Sequence, residues 1–245
     1  MKLIILVGTY TTIKRTEKDF EIMKIAICFF GLPREYTEWK DRFSKFYDGC
    51  DISFYAHFWK DPSLNVEDLK SAFNFKNILL EEQKTDFSEL PKETDLTKTT
   101  KGIIPTLSPL YSMKRVGDIL FDDTEEYDFI ILTRTDVGCN SNTKLLDFDL
   151  NKDYFYNSYV RGKEWLVDHL DAKWMCGNKE KVLKLCGIYE NLKKYIVEDK
   201  IALCHHRLFF HSLKEYKDLM EMVNVDPSYT NGGWFFMRNG KLTES

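Results

Sequence analysis

Two charged residues, Arg134 and Asp136, come just after the segment DFIILT at 128–133, whose centre is apolar. If that segment is a buried strand, both side chains lie beyond its carboxyl end, where open α/β sheets bind ligands. A carboxylate at such an edge can hold Mg²⁺ or Mn²⁺ against a substrate diphosphate, and an arginine can pair with phosphate through two N–H groups. The alternative is an ion pair that only fixes the strand end, since many such pairs are structural.

Polar residues also close two other candidate strands. Gly31 follows the apolar run 24–30, and Arg34 comes three residues later, in the predicted first turn of a helix. A glycine lets the backbone approach a ligand, and a cation at a helix N-terminus opposes the helix dipole, which indicates a nearby anion. His57 ends the second candidate strand, where it either donates to a base or ribose or serves as an ordinary structural histidine.

A further carboxylate, Asp171, comes just before the strand-like run 173–176. Facing a cleft, it could take a proton from an acceptor hydroxyl as a general base. An aspartate that only caps or stabilises a turn is an equal alternative, because short polar side chains commonly bond their own backbone there.

The histidine-rich segment around Cys204, His205, His206 and His211 does not predict a zinc site. Consecutive residues on a helix point in different directions, and only those three or four apart share a face. One of these histidines could still complete a Mn²⁺ site formed mainly by Asp136. The sequence 147–149 imitates an Asp-x-Asp motif, but it follows a polar stretch instead of a strand.

The elements that must position these residues alternate along the chain. Apolar runs predict strands, and apolar residues at helical spacing predict helices between them. The strands are expected at about 24–30, 51–58, 78–80, 128–133, 154–159, 173–176 and 234–237, and the helices at about 34–47, 66–73, 108–121, 178–195 and 199–221. This order predicts a single α/β domain with a mostly parallel central sheet and an elaborated C-terminal half. The polar segment 84–102 is expected to be a lid or a disordered loop.

Composition excludes several other classes of protein. The chain has 245 residues and a net charge of −4, without the basic excess that nucleic-acid binding requires. No apolar stretch approaches the roughly 18 residues of a membrane span. The six cysteines include no CxxC pair and are expected to be free thiols in a reducing compartment. These features predict a cytoplasmic protein.

Residues 1–22 precede the first predicted strand. A second start-like segment begins at Met23 and leads directly into the first predicted strand. We therefore expect residues 1–22 to be an N-terminal extension and residues 23–245 to form the functional domain.

Several segments together resemble a family of GT-A-type nucleotide-sugar glycosyltransferases found in bacteria, phages and large DNA viruses. They are MKIAICFFGLPREY, DISFYAHFW, NILLEEQ, LYSMKRVGDILFDDTEEYDFIILTRTDVG and DAKWMCGNKEKVLKLCGIYENL. The resemblance covers residues 23–215 and implies a GT-A-like, Rossmann-like fold. It also implies transfer of a sugar, hexosyl or pentosyl, from a nucleoside-diphosphate sugar to a hydroxyl of a glycan or similar acceptor, as in glycan biosynthesis.

The resemblance also implies roles for individual residues. It places Gly31, Arg34 and His57 at the nucleotide side and Asp171 at the acceptor side. At the diphosphate and metal position it places Tyr111, Arg134 and Asp136, with Asp136 as the ligand of a Mn²⁺ or Mg²⁺ cofactor. The usual Asp-x-Asp reads Arg134-Thr135-Asp136 here, so its first carboxylate is missing.

Two other functions remain open from the residues. A non-catalytic protein that binds a nucleotide sugar or glycan would keep the same fold, since folds do not dictate function. The missing first carboxylate favours this alternative. A metal-dependent phosphoesterase is the third hypothesis.

Overall fold

The computed structural model describes residues 22–88, 103–139, 143–158, 170–223, 234–238 and 241–243. The predicted N-terminal extension, apart from Ile22, and most of the predicted loop 84–102 lie outside these residues. None of the helices in the described ranges is long and apolar enough to cross a membrane.

Among the described residues, seven strands form the central sheet. They are β1 (Lys24–Gly31), β2 (Asp51–Trp59), β3 (Asn77–Glu81), β4 (Phe129–Thr133), β6 (Phe155–Ser158), β7 (Trp174–Gly177) and β8 (Met220–Val223). Their order across the sheet is β3-β2-β1-β4-β7-β6-β8, and only β7 runs antiparallel to its neighbours. A second, antiparallel sheet joins β5 (Val137–Cys139), β9 (Trp234–Arg238) and β10 (Lys241–Thr243).

Five α-helices in the described part of the chain accompany the sheets. They are α1 (Tyr36–Phe43), α2 (Val66–Phe73), α3 (Ile103–Phe121), α4 (Lys179–Cys186) and α5 (His205–Ser212). The two faces of the central sheet belong to two separate apolar clusters, one with α1 and α2 and the other with α3, α4 and α5. Strand β1 contributes to both, since Ile27 lies in the first cluster and Cys28 in the second. Burial on both faces explains why β1 is a continuous apolar run.

Helix α3 packs close to α4 as well as to the sheet. A Cβ atom on Gly117 would come within 2.7 Å of the Cβ of Cys186, so only glycine permits this spacing of the two helices. Pro109 lies inside α3. Because proline has no N–H, this helix lacks one internal hydrogen bond near its N-terminal half.

Most predicted elements are confirmed, with corrections to their boundaries. Helix α1 begins at Tyr36, so Arg34 lies in the turn before it; Glu35 takes a φ of 53°, which a helix cannot include. A single helix was expected at 178–195, but α4 ends at Cys186, before Gly187. The chain then forms separate turns and a short π-helix at Lys194–Glu198.

The helix predicted for 199–221 is wrong for much of its length. Only His205–Ser212 is α-helical, Lys214–Leu219 is a 3₁₀ segment, and the following residues form β8 beside β6. Pairing with a neighbouring strand outweighs local helical propensity there. The three-residue strand β5 was not predicted, because it is too short to give a periodic signal.

Candidate functional site

The carboxyl ends of four neighbouring strands meet at one edge of the central sheet. From β1 the chain first adds β2 and β3 on one side and then β4 on the other, so the order reverses between β1 and β4. Such a reversal leaves a crevice outside the strand ends, which is where open α/β sheets bind ligands. Gly31 closes β1 at this point, and Arg134 directly follows β4.

A cavity of about 280 Å³ opens at this edge. Its walls come from the ends of the four strands and from the N-terminal half of α3: Phe30, Gly31, Leu32, Arg34, Trp59, Gln83, Ile104, Pro105, Ser108, Pro109 and Arg134. Its volume is close to the lower limit of about 300 Å³ for small-molecule sites. The cavity therefore has room for part of a ligand, with the rest extending outward.

Two arginines give the cavity its positive charge. Arg34 is exposed and interacts electrostatically with Asp61. The Arg134 side chain is 27% exposed, and its Nη2 donates to Oδ2 of Asp136 at 2.5 Å. Two guanidinium groups at one cavity suit a ligand with two negative groups, because each can form charge-assisted hydrogen bonds with phosphate oxygens.

A chain of hydrogen bonds, buried at its centre and partly buried at its ends, fixes the Gly31 turn. The Gly31 N–H donates to Ser112 Oγ at 2.7 Å, and that hydroxyl lies 2.7 Å from Nδ1 of His57. On the far side of the ring, Nε2 lies 3.1 Å from Oε2 of Glu81, whose other oxygen accepts from Arg115 at 2.8 Å. We call this chain the Gly31 relay: Gly31, Ser112, His57, Glu81 and Arg115.

The charges along the Gly31 relay follow from its surroundings. Burial lowers the pKa of His57 below its ordinary value, although Glu81 acts in the opposite direction. Burial alone would raise the pKa of Glu81, but its bonds with Arg115 and His57 bring it below its ordinary value. The Ser112 hydroxyl also donates to the His57 backbone oxygen at 3.1 Å, and which atom donates in its contact with Nδ1 depends on the tautomer of the ring.

Two of the predicted nucleotide-binding residues lie behind the cavity wall. His57 has no exposed surface and crosses the ring of Trp59 at 4.7 Å between centroids. Tyr111 stacks on Trp59 at 5.7 Å, with the rings 18° from parallel. Trp59 lines the cavity but is only 2% exposed. The structure therefore brings Gly31, Arg34 and Arg134 to the cavity and uses His57 and Tyr111 to hold its tryptophan wall.

Sequence reasoning missed Ser112, Glu81 and Arg115 as parts of this site. They lie on α3 and at the end of β3, and their contacts join residues that are 24 to 81 positions apart. No local spacing reports such contacts.

The predicted acceptor-side residue, Asp171, lies at the same edge of the sheet. It precedes β7, whose first residue pairs with the last residue of β4, and Thr133 Oγ1 donates to the backbone oxygen of Lys173. Its carboxylate accepts from Lys173 twice, from the backbone N–H at 3.0 Å and from Nζ at 2.9 Å. The Asp171 side chain is 10% exposed. Asp171 is thus close to the carboxyl end of β4 in the sheet, but its carboxylate already has a cationic partner, Lys173.

The residues described do not fit the divalent cation that the sequence predicts. Asp136 has no exposed surface, and one of its oxygens accepts from Arg134. Mg²⁺ and Mn²⁺ keep several waters and need oxygen ligands in an open octahedral arrangement. No group of three or more His, Cys, Asp or Glu side chains suited to a metal occurs in the described part of the chain.

Two histidines of the predicted segment have partners elsewhere: His206 Nδ1 lies 2.6 Å from the Leu170 backbone oxygen, and His211 Nε2 lies 2.7 Å from Asp199 Oδ2. The predicted roles of Asp136 as a metal ligand and of a histidine as its companion remain predictions without a matching donor set among these residues.

No protein-family model matches the chain, and neither does any curated protein. Among solved structures, it is similar to the galactosyltransferase LgtC in complex with donor and acceptor sugar analogues, with a TM-score of 0.50 and 11% identity over 88% of this chain and 87% of that one. It is also similar to the glycosyltransferase GlyE of Streptococcus pneumoniae, with a TM-score of 0.44 and 12% identity over 82% of this chain and 45% of that one. A third similar structure is mouse xyloside xylosyltransferase 1, with a TM-score of 0.42 and 10% identity over 83% of this chain and 85% of that one.

The likeness to LgtC extends over nearly the whole of both chains and therefore concerns the complete domain. The seven-stranded and the three-stranded sheet are parts of one α/β domain. This protein has the fold of GT-A-type glycosyltransferases.

We predict that Ser112→Ala lowers the free energy of unfolding by about 1–3 kcal/mol, because it leaves the partly buried N–H of Gly31 and the buried His57 ring without their partner. Urea unfolding followed by circular dichroism measures the change. The matched control is Ser108→Ala, one turn earlier on α3, which loses a single bond from Gln83. Equal losses in the two variants would contradict the proposed importance of the Gly31 relay.

Proposed function

We propose that this protein transfers a sugar, hexosyl or pentosyl, from a nucleoside-diphosphate sugar to a hydroxyl of a glycan or similar acceptor. One observation carries the proposal: Gly31, Arg34 and Arg134 line one cavity at the switch point of a GT-A fold. Nucleotide ligands of α/β folds bind at this place, and two arginines there match the charge of a diphosphate.

The donor's diphosphate is proposed to lie between Arg34 and Arg134. Gly31 has a φ of 98°, and no atom lies within 4 Å of the position that a Cβ would occupy. A residue with a Cβ would be strained in this conformation, and glycine also leaves the space beside the turn open to a ligand. The nucleoside is proposed to lie on the side of Trp59, whose position His57 and Tyr111 fix.

The chemistry requires stabilisation of a departing anion. The bond between the sugar C1 and the β-phosphate oxygen breaks, and its electron pair leaves with the nucleoside diphosphate. The acceptor oxygen forms the new bond to C1 and releases its proton to a base or to solvent. Positive groups placed beforehand around the leaving diphosphate favour this step, because they need no reorganisation as the charge develops.

Asp171 is proposed to serve the acceptor. Its backbone is held firmly, since the Asp171 N–H donates to Asn157 Oδ1 at 2.7 Å and its carbonyl accepts from Asn157 Nδ2 at 2.8 Å. The bond to Lys173 keeps the carboxylate in one orientation. A fixed carboxylate can position an acceptor hydroxyl and receive its proton.

A second function, binding of a nucleotide sugar or glycan without turnover, is favoured by one observation. The carboxylates of Asp136 and Asp171 are both paired with cationic side chains, Arg134 and Lys173. Binding of a donor without release of nucleoside diphosphate, in the presence of many acceptors, would distinguish this function from transfer.

For the first function, we predict that one of UDP-, GDP- or dTDP-sugars raises the melting temperature, since a ligand that binds the native state stabilises it. Arg34→Gln should weaken the affinity for that donor about tenfold or more in isothermal titration calorimetry, because a charge-assisted phosphate contact is lost.

The matched control for Arg34 is Lys45→Gln. Lys45 is exposed and follows α1, which leads the chain away from the cavity edge. Removing this charge should leave donor affinity unchanged. Equal affinity in the wild type and Arg34→Gln, or no binding of any donor, would contradict the proposed site.

For Asp171, we predict that Asp171→Asn lowers kcat of transfer by about 100-fold or more, as expected for loss of a general base, while donor affinity changes little. Stopped assays of nucleoside diphosphate release measure kcat, and Asp153→Asn, an exposed aspartate before β6, is the control. A variant that only melts earlier and keeps kcat per folded molecule would limit Asp171 to a structural role with Lys173.

A further inference from the structure

The turn between β4 and β5 contains one cation and one anion in contact. Arg134 and Asp136 are two residues apart, and Nη2 of the first lies 2.5 Å from Oδ2 of the second. The two side chains differ in accessibility: Arg134 is 27% exposed and lines the cavity, whereas Asp136 is fully enclosed. The positive member of the pair therefore faces the site and the negative member supports it from behind.

The Arg134 guanidinium supplies positive charge at the cavity, which is what a bound metal ion would otherwise supply. A divalent cation near a diphosphate stabilises the negative charge that develops on the leaving group. A guanidinium at the same wall supplies a permanent positive charge, and its planar fork can bond phosphate oxygens in a bidentate manner.

We propose that Arg134 is a built-in counter-cation for the donor diphosphate, and that Asp136 is a positioning residue for Arg134 instead of a metal ligand. The proposal rests on the function proposed above. It predicts that the protein binds nucleoside diphosphates and transfers sugar without a divalent cation. It replaces the sequence-based expectation that Asp136 holds Mn²⁺ or Mg²⁺.

Burial explains why Asp136 suits this role. An enclosed carboxylate must have a partner, since an isolated buried charge is strongly unfavourable. The Arg134 guanidinium provides that partner, and Asp136 in turn restricts a long side chain that would otherwise have many rotamers. A cation that keeps part of its water shell would have to displace Arg134 and open the turn.

The neighbouring residue Thr135 is also fully buried, and its Oγ1 has no hydrogen-bond partner among the described residues. The whole turn is therefore enclosed, with only Arg134 reaching the cavity.

The experiment is calorimetric titration of the wild-type protein with UDP, GDP and inorganic pyrophosphate, once in EDTA and once in excess Mn²⁺. We expect the dissociation constant of the best ligand to agree within about twofold between the two buffers, because no bound metal contributes to the binding free energy. Transfer from the corresponding nucleotide sugar should also survive EDTA.

Three variants assign the roles. Arg134→Gln should weaken binding about tenfold or more in both buffers, through loss of a charge-assisted contact. Asp136→Asn should weaken it in both buffers as well, because Arg134 loses its ionic support. The control is Asp149→Asn, an exposed aspartate in the Asp-x-Asp-like segment before β6. It should bind as the wild type does, and melting curves establish that each variant is folded.

The outcomes separate the inference from the proposed function. Binding that requires Mn²⁺ and is abolished by Asp136→Asn only in the Mn²⁺ buffer would make Asp136 a metal ligand; this overturns the inference and leaves the transferase proposal intact. Absence of binding to all three probes in both buffers would overturn both. If Asp136→Asn does not fold, the wild-type comparison and Arg134→Gln still decide between these outcomes.

Discussion

The hydrogen bond from the Gly31 N–H to Ser112 Oγ joins the end of β1 to the middle of α3. Through His57 the same hydroxyl is tied to the end of β2, and through Glu81 to the end of β3. One serine therefore holds three strand ends and a helix in fixed relation. The same elements form the walls of the cavity, so the shape of the cavity depends on this small, partly buried polar network. Such a network is stable only when every member is satisfied.

Charge at the cavity is arranged in two layers. Arg34 and Arg134 line the ligand space, and the carboxylate that balances Arg134, that of Asp136, is fully enclosed behind it. This order creates a positive surface without leaving an unpaired buried charge. It suits a ligand whose negative charge increases during reaction, as that of a departing diphosphate does.

The strands could be predicted from the sequence because their apolar runs are buried on both faces, as in β1. The same argument placed Gly31 and Arg134 at one edge. It could not show that His57 lies behind the wall or that Asp136 is enclosed, since both depend on side chains from α3 and on the path of the turn after β4. The sequence shows that the first carboxylate of the Asp-x-Asp is missing, but it does not show that Arg134 pairs with Asp136.

The most direct test of the central claim is a crystal structure of the protein with a nucleoside-diphosphate sugar that binds it. We predict that the diphosphate lies at the carboxyl edge between β1 and β4, with its oxygens about 2.7–2.9 Å from the guanidinium groups of Arg34 and Arg134. A ligand bound at this edge without contact to either arginine, or bound elsewhere on the molecule, would contradict the account.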